Sequence, residues 1–150
     1  MKKIIIAIDS FKGCLTSAEA GKAAEKGIKS INPSCHTSVI PIADGGEGLL
    51  DVLITATKGK YITLSAHGPL MKMAKTHYGL SGNGRTAIIE MAAISGLPLV
   101  PIEQRNPMLT TTFGTGELIK DALNKGCRNF IIGIGGSATN DAGLGMLQAL

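Results

Sequence analysis

The sequence predicts an α/β protein with parallel strands, and three features of the chain carry that prediction. Apolar runs at Lys3 to Ile8, His36 to Ile42 and Phe130 to Ile134 are short, β-rich and nearly unbroken, as in strands covered on both faces. Each run delivers a loop of glycines and polar side chains, and each loop leads into apolar residues at helical spacing. A recurrence of strand, ligand-like loop and helix suits a flavodoxin- or Rossmann-like lobe, where ligands bind outside the carboxyl ends of the strands.

The first strand ends at Asp9. After a turn at Gly13, DSFKGCLTSAEAGKAAEKGIKSI enters a helix with Thr16 or Ser17 as N-cap and Ala20, Ala23, Ala24, Gly27, Ile28 and Ile31 as its apolar side. Asp9, Ser10 and Lys12 therefore stand at a strand's carboxyl end. The second strand delivers ADGGEG, residues 43–48, before a helix through Leu49, Leu50, Val52, Leu53 and Ala56 that ends at Gly59. Asp44 and Glu47 sit beside Gly45 and Gly46, placed to hold magnesium or accept a proton, although Glu47 also suits the first turn of a helix.

A third strand is expected over Lys60 to Leu64. Beyond it GPLMKMAKTHYGLSGNGRTAIIEMA reads as a hairpin, with alternation to Tyr78, a turn at Ser81 to Gly84 and a return strand from Thr86 to Met91. The change of character places a lobe boundary near Ala66 to Leu70, so that residues 1–66 form one α/β lobe and 67–150 a second, with the ligand cleft between them. Glu90, a charge inside an apolar strand, is either paired in the core or facing a cleft. After the proline-marked loop LPLVPIEQRNP, the segment TTTFGTGELIKDALNKGC starts a helix with Thr115 as N-cap or as a phosphate contact.

The last stretch, FIIGIGGSATNDAGLGMLQAL, is the most loaded. Ser137, Thr139, Asn140 and Asp141 crowd among Gly133, Gly135, Gly136, Gly143 and Gly145, more glycines and polar groups than a chain reversal requires. Unpaired N–H groups at the following helix start make phosphate the first ligand to suspect. GIGGSA fits the G-x-G-x-x-A variant of the dinucleotide fingerprint, but its acidic ribose partner falls past Leu150; no Walker sequence occurs. Leu150 itself lies inside an uncapped helix, so the second lobe is expected to be incomplete.

Composition narrows the function classes. Of 150 residues, 44% are hydrophobic and 17% charged, which excludes a disordered chain. The net charge of +4 comes from scattered lysines with few aromatics, against nucleic-acid binding and compatible with a small anionic substrate. Three cysteines and three histidines without ligand spacing fit a reducing cytoplasm and no structural metal. The apolar run after Met1 stops at Asp9, too short for a signal peptide, and no stretch approaches membrane length. No serine or cysteine has the frame of an acyl-transfer nucleophile.

GIGGSATNDAGLGMLQAL, DSFKG, ADGGEG, GPL, IEMA and GTGELI resemble the motifs of the glycerate kinase family along nearly the whole chain. The chain departs from the family pattern at Ala142 and Met71, where the family has glycine, at Leu144, where it has alanine, and at Cys14 and Thr16, where it has serines. The resemblance implies ATP-dependent phosphorylation of D-glycerate, with ATP and Mg2+ as cofactors, in a protein more than twice this length; association into a homo-oligomer stays open. Glycine loops with carboxylates, hydroxyls and one lysine are also the parts of a phosphoryl-transfer site, where positioning and charge neutralisation carry the catalysis. Lys12 is the expected phosphate or carboxylate contact, Asp44 the magnesium or substrate-orienting carboxylate and Asp141 the base, with those two roles interchangeable. A nicotinamide-dependent oxidoreductase using the GIGGSA loop and a non-catalytic phosphate-ligand module are the alternatives.

Overall fold

The computed structural model describes residues 3–150, which fall into two compact units, one ending at Asp44 and one running from Gly45 to Leu150. In the first, strand β1 (Lys3–Ile8) pairs in parallel with β2 (His36–Pro41), from Lys3 opposite His36 to Ile8 opposite Pro41. Helix α1 (Ser17–Ile31) connects them. Thr16 is its N-cap, in a capping box: the Glu19 N–H donates to Thr16 Oγ1 at 3.2 Å, and the Thr16 N–H donates back to Glu19 Oε2 at 2.9 Å.

The buried edge of α1 is Ser17, Ala20 and Gly21, whereas Ala23, Gly27 and Ile31 of the expected stripe are exposed. Gly21 explains the offset. A Cβ there would lie 2.4 Å from Val39 Cγ1, so the helix meets β2 through its smallest residue and rotates its larger apolar side chains away.

The second unit is built on a four-stranded sheet of β3 (Lys60–His67), β4 (Met73–Leu80), β5 (Thr86–Glu90) and β6 (Asn129–Gly133), in that spatial order. The β3/β4 and β4/β5 pairs are antiparallel and β5/β6 is parallel. The sheet is therefore mixed, with the strand at Phe130 in a different sheet from β1 and β2. The lobe boundary expected at residues 66–67 falls inside a hairpin, because Ala66 pairs with Ala74 and His67 with Met73. What reads as a change of character at Gly68 is a tight turn, closed by the Gly68 N–H on the Lys72 carbonyl, with Met71 at a φ of 59°. The compact units part instead at Asp44.

Strand β5 explains why this unit has three layers. Ala87 and Ile89 point into a core with Leu118, Ile119 and Ala122 of helix α4 (Phe113–Asn124). Ile88 points the other way, onto Leu50 and Ile54 of helix α2 (Leu49–Thr57). An apolar strand buried on both faces is what the unbroken TAIIE run requires. Glu90 shares the Ile88 face by strand alternation. Two short helices, α3 (Ala92–Ser95) and α5 (Leu144–Ala149), follow β5 and β6. No described helix is long and apolar enough to cross a membrane.

Candidate active site

In the first unit the carboxyl ends of β1 and β2 are tied together by one hydroxyl. Ser17 Oγ donates to the Ile8 carbonyl at 2.7 Å and accepts the Ile42 N–H at 3.0 Å, which fixes where both following loops depart. The sequence marks Ser17 as a candidate cap; its position one residue inside the helix, facing both strand ends, is visible only in the fold. The loop after β1 is a tight turn with the Phe11 and Leu15 backbones bonded to each other and Gly13 at a φ of 73°. This turn projects Lys12 outward. Its ammonium lies 3.7 Å from Asp44 Oδ2, with the two side chains 71% and 58% exposed, so the pair is held loosely and faces solvent. Asp9 accepts the Ser10 N–H at 2.7 Å, an arrangement that stiffens the start of the same loop.

In the second unit the glycines around residue 45 and those after β6 meet backbone to backbone. The Gly135 N–H donates to the Gly45 carbonyl at 3.0 Å. A Cβ on Gly133 would lie 2.5 Å from the Gly45 oxygen, and one on Gly135 2.6 Å from Gly46 Cα. Glu90 sits beside this junction, buried, its Oε2 accepting the Gly48 N–H at 3.2 Å and the Leu50 N–H at 3.3 Å. It does for α2 what a side-chain N-cap does, since the cap residue Gly48 has no side chain to offer. Burial pushes the Glu90 carboxyl above its ordinary value despite the lowering pull of those two amides, and Asp51 and Glu47 add repulsion. Glu47 itself is exposed just ahead of the cap residue.

Asp141 is placed very differently from Asp44. Its Oδ2 accepts the Thr112 N–H at 2.8 Å, the Thr112 hydroxyl at 2.9 Å and the Gly145 N–H at 3.1 Å, while its Oδ1 accepts the Gly143 N–H at 3.1 Å. Thr112 Oγ1 in turn accepts the Met146 N–H at 2.9 Å. The starts of α4 and α5 thus converge on one carboxylate, which occupies the place an external anion would take. Burial alone would raise the Asp141 carboxyl, but the Thr112, Gly143 and Gly145 donors outweigh it and hold it below its ordinary value. In this structure the carboxylate of Asp141, expected from the sequence as the base, serves as a clamp between two loops.

Thr115 is a second correction. Helix α4 begins at Phe113, because Asp141 satisfies the Thr112 amide and Thr111 Oγ1 that of Phe113, and so Thr115 lies inside the first turn. Its side chain is buried and its hydroxyl shares a 2.8 Å bond with Ser95, leaving it neither a cap nor a phosphate contact. Three consecutive threonines ahead of the helix are the signal for this start, and Thr111 is the one whose hydroxyl accepts the Phe113 N–H, at 3.2 Å.

Ser137 and Thr139 lie together, their hydroxyls 2.8 Å apart and the Thr139 N–H on Ser137 Oγ at 3.0 Å. Gly136 turns through a φ of 73°, and Asn140 is exposed beside them. Two amides of this loop are committed within the protein, that of Gly135 to Gly45 and that of Ala138 to the Ser95 carbonyl at 2.9 Å. Among the described residues no group of three or more His, Cys, Asp or Glu side chains could cage a metal.

A sequence profile described as "Glycerate kinase family" matches residues 4–150. Curated relatives include a glycerate kinase of Haemophilus influenzae, 57% identical over 148 residues, and one of Bacillus subtilis, 55% identical over 148 residues. A glycerate 2-kinase of Escherichia coli is 53% identical over the same length. Each of these matches takes in 99% of the chain and 39% of the relative, so the chain spans about two fifths of the length of those proteins. A crystal structure assigned to glycerate kinase 2 of Salmonella typhimurium LT2 superposes with a TM-score of 0.83 at 50% identity, over 100% of this chain and 41% of that one. The mixed α/β fold, the loops at its strand ends and a family match running from Ile4 to Leu150 agree: the chain belongs to the glycerate kinase family.

Proposed function

We propose that the protein transfers the γ-phosphate of ATP to a hydroxyl of D-glycerate. The observation that carries the proposal is the Lys12–Asp44 pair, a cation and a carboxylate exposed on loops that leave the carboxyl ends of parallel strands, in a chain of this family. Lys12 supplies a mobile positive charge for phosphate or the glycerate carboxylate. Asp44 orients magnesium or the acceptor hydroxyl. Magnesium suits it, because that ion takes one or two protein carboxylates and completes its shell with water and phosphate oxygens; when bound it neutralises charge between the phosphates. Asp141 keeps the 137–143 loop in shape. The name of the Escherichia coli relative, glycerate 2-kinase, favours the 2-hydroxyl as acceptor.

The deciding experiment mixes the full-length protein with D-glycerate, ATP and magnesium, follows ADP release, and identifies the product by 31P NMR. Glycerate-dependent ADP release with 2-phosphoglycerate as product is expected. Absence of glycerate-dependent ADP release overturns the reading, and binding of a nicotinamide cofactor in its place would revive the oxidoreductase alternative.

A further inference from the structure

The second unit contains a cleft of about 230 Å³ between the Ser137–Thr139 stretch and the proline-marked loop, and nothing said above of that loop assigns it a ligand. Its polar lining is Arg105, Asn106, Ser137 and Thr139, its apolar wall includes Leu97 and Val100, and no carboxylate lines it. Arg105 comes from the proline-marked loop, which looked in the sequence like a connection and nothing more. Its Nε donates to the Val100 carbonyl at 3.2 Å, which pins the guanidinium at the cleft and leaves its Nη groups as the donor fork. Among the described residues no carboxylate pairs with it.

The neighbouring groups point the same way. Asn106 Oδ1 accepts the Met108 N–H at 3.0 Å, so the remaining polar end of that side chain is its NH2 donor. Ser137 and Thr139 hold two hydroxyl protons between them, and their mutual 2.8 Å bond uses one, leaving the other to donate elsewhere. Thr110, at the rear of the cleft, is spent on the Ala138 carbonyl at 2.7 Å. A cation, an amide donor and a hydroxyl donor converge against an apolar wall. That is the complement of an oxyanion attached to a small carbon skeleton.

Resting on the glycerate kinase reading, we infer that Arg105, with Asn106 and the Ser137–Thr139 pair, forms the subsite for the carboxylate of the hydroxy-acid substrate. The apolar wall of Leu97 and Val100 favours this over a nucleotide phosphate, since it suits the carbon skeleton that a carboxylate carries directly. The other anion-favouring place nearby, the converging starts of α4 and α5, is already filled by Asp141.

The test is calorimetric titration of the full-length protein with D-glycerate, glycerol and ADP separately, for the parent, Arg105→Met and Arg105→Lys. Arg105→Met should weaken D-glycerate roughly 10- to 100-fold, the scale of losing hydrogen bonds to a charged group, with ADP affinity and thermal midpoint at parental values. Arg105→Lys should recover part of the loss, since it keeps the charge without the planar fork. Glycerol, which lacks the carboxylate, should bind all three proteins equally poorly. Parental D-glycerate affinity in Arg105→Met overturns the subsite, and a loss confined to ADP overturns the carboxylate assignment in favour of phosphate. The kinase reading fails separately: carboxylate binding that depends on Arg105 without ADP release leaves the subsite standing, whereas normal turnover at parental affinity removes the subsite alone.

Discussion

Asp44 and Asp141 look alike in the sequence, each an acidic residue among glycines just after an apolar strand, and the fold gives them opposite tasks. Asp44 stands more than half exposed beside an exposed lysine. Asp141 collects donors from Thr112, Gly143 and Gly145 and holds two helix starts together. A carboxylate that reaches solvent can serve a ligand; one saturated by its own chain serves the loop. Exposure separates the two, Asp44 being exposed and Asp141 half-buried, and residue type and neighbouring glycines do not.

The sharpest test of that contrast is to exchange activity for stability at the two loops. Lys12→Met, in the full-length enzyme, should lower turnover about 100-fold or more, the cost of losing one strong electrostatic donor, without moving the thermal midpoint. Turnover within a few-fold of the parent removes Lys12 from the site. Asp141→Ala should do the reverse in kind, destabilising the protein by on the order of 3 kcal/mol, because it uncaps two helices and strands several donors. Chemical denaturation measures it. The acid limb of the stability curve carries the same information: with the folded carboxyl below its ordinary value of 3.8, the Asp141 contribution is complete above that pH and fades as pH falls through the lower value, and Asp141→Asn should lose that limb.

Glu90 supplies a smaller effect of opposite sign. Its folded carboxyl lies above the ordinary value of 4.5, so ionisation costs folding free energy progressively as pH rises from there to the folded value, and in full beyond it. Glu90→Gln should therefore gain stability relative to the parent across that window, since both amide bonds fall on a single oxygen that Gln retains. A flat difference with pH would show that the carboxyl is not desolvated. The smallest expected effects are at Ala142 and Met71, whose φ values of 52° and 59° put side chains in the left-handed region that favours glycine. Ala142→Gly and Met71→Gly should each stabilise by up to about 1 kcal/mol. Destabilisation by either would mean that the side chain contributes more than its backbone strain costs.

Much of this arrangement is legible in the sequence because it rests on local rules. The runs at Lys3 and His36 are parallel strands, Thr16 with Glu19 is a capping box readable from spacing alone, and the turn at Gly13 sits where glycine demanded it. The illegible parts depend on partners distant in sequence. The lobe boundary moved because β3 finds β4 across Gly68, a pairing that alternation within each strand does not announce. Thr115 left the site because Asp141 starts its helix from 29 residues away, closing on Thr112. Arg105 was invisible because a single arginine in a proline-rich loop carries no motif until a fold brings Ser137 and Thr139 to it.

The junction between Gly135 and the glycines at 45 and 46 has one further consequence, for how such a site can be inferred from related sequences. The two segments touch through backbone alone, at a separation that leaves no room for a Cβ on Gly135. With no side chain on either partner, there is nothing to exchange in a compensating pair of substitutions. Methods that infer contacts from correlated variation will therefore find no signal at this junction, however tightly it couples the two loops. The same bareness means that forming the contact freezes no rotamers, so its entropic cost falls wholly on the backbone.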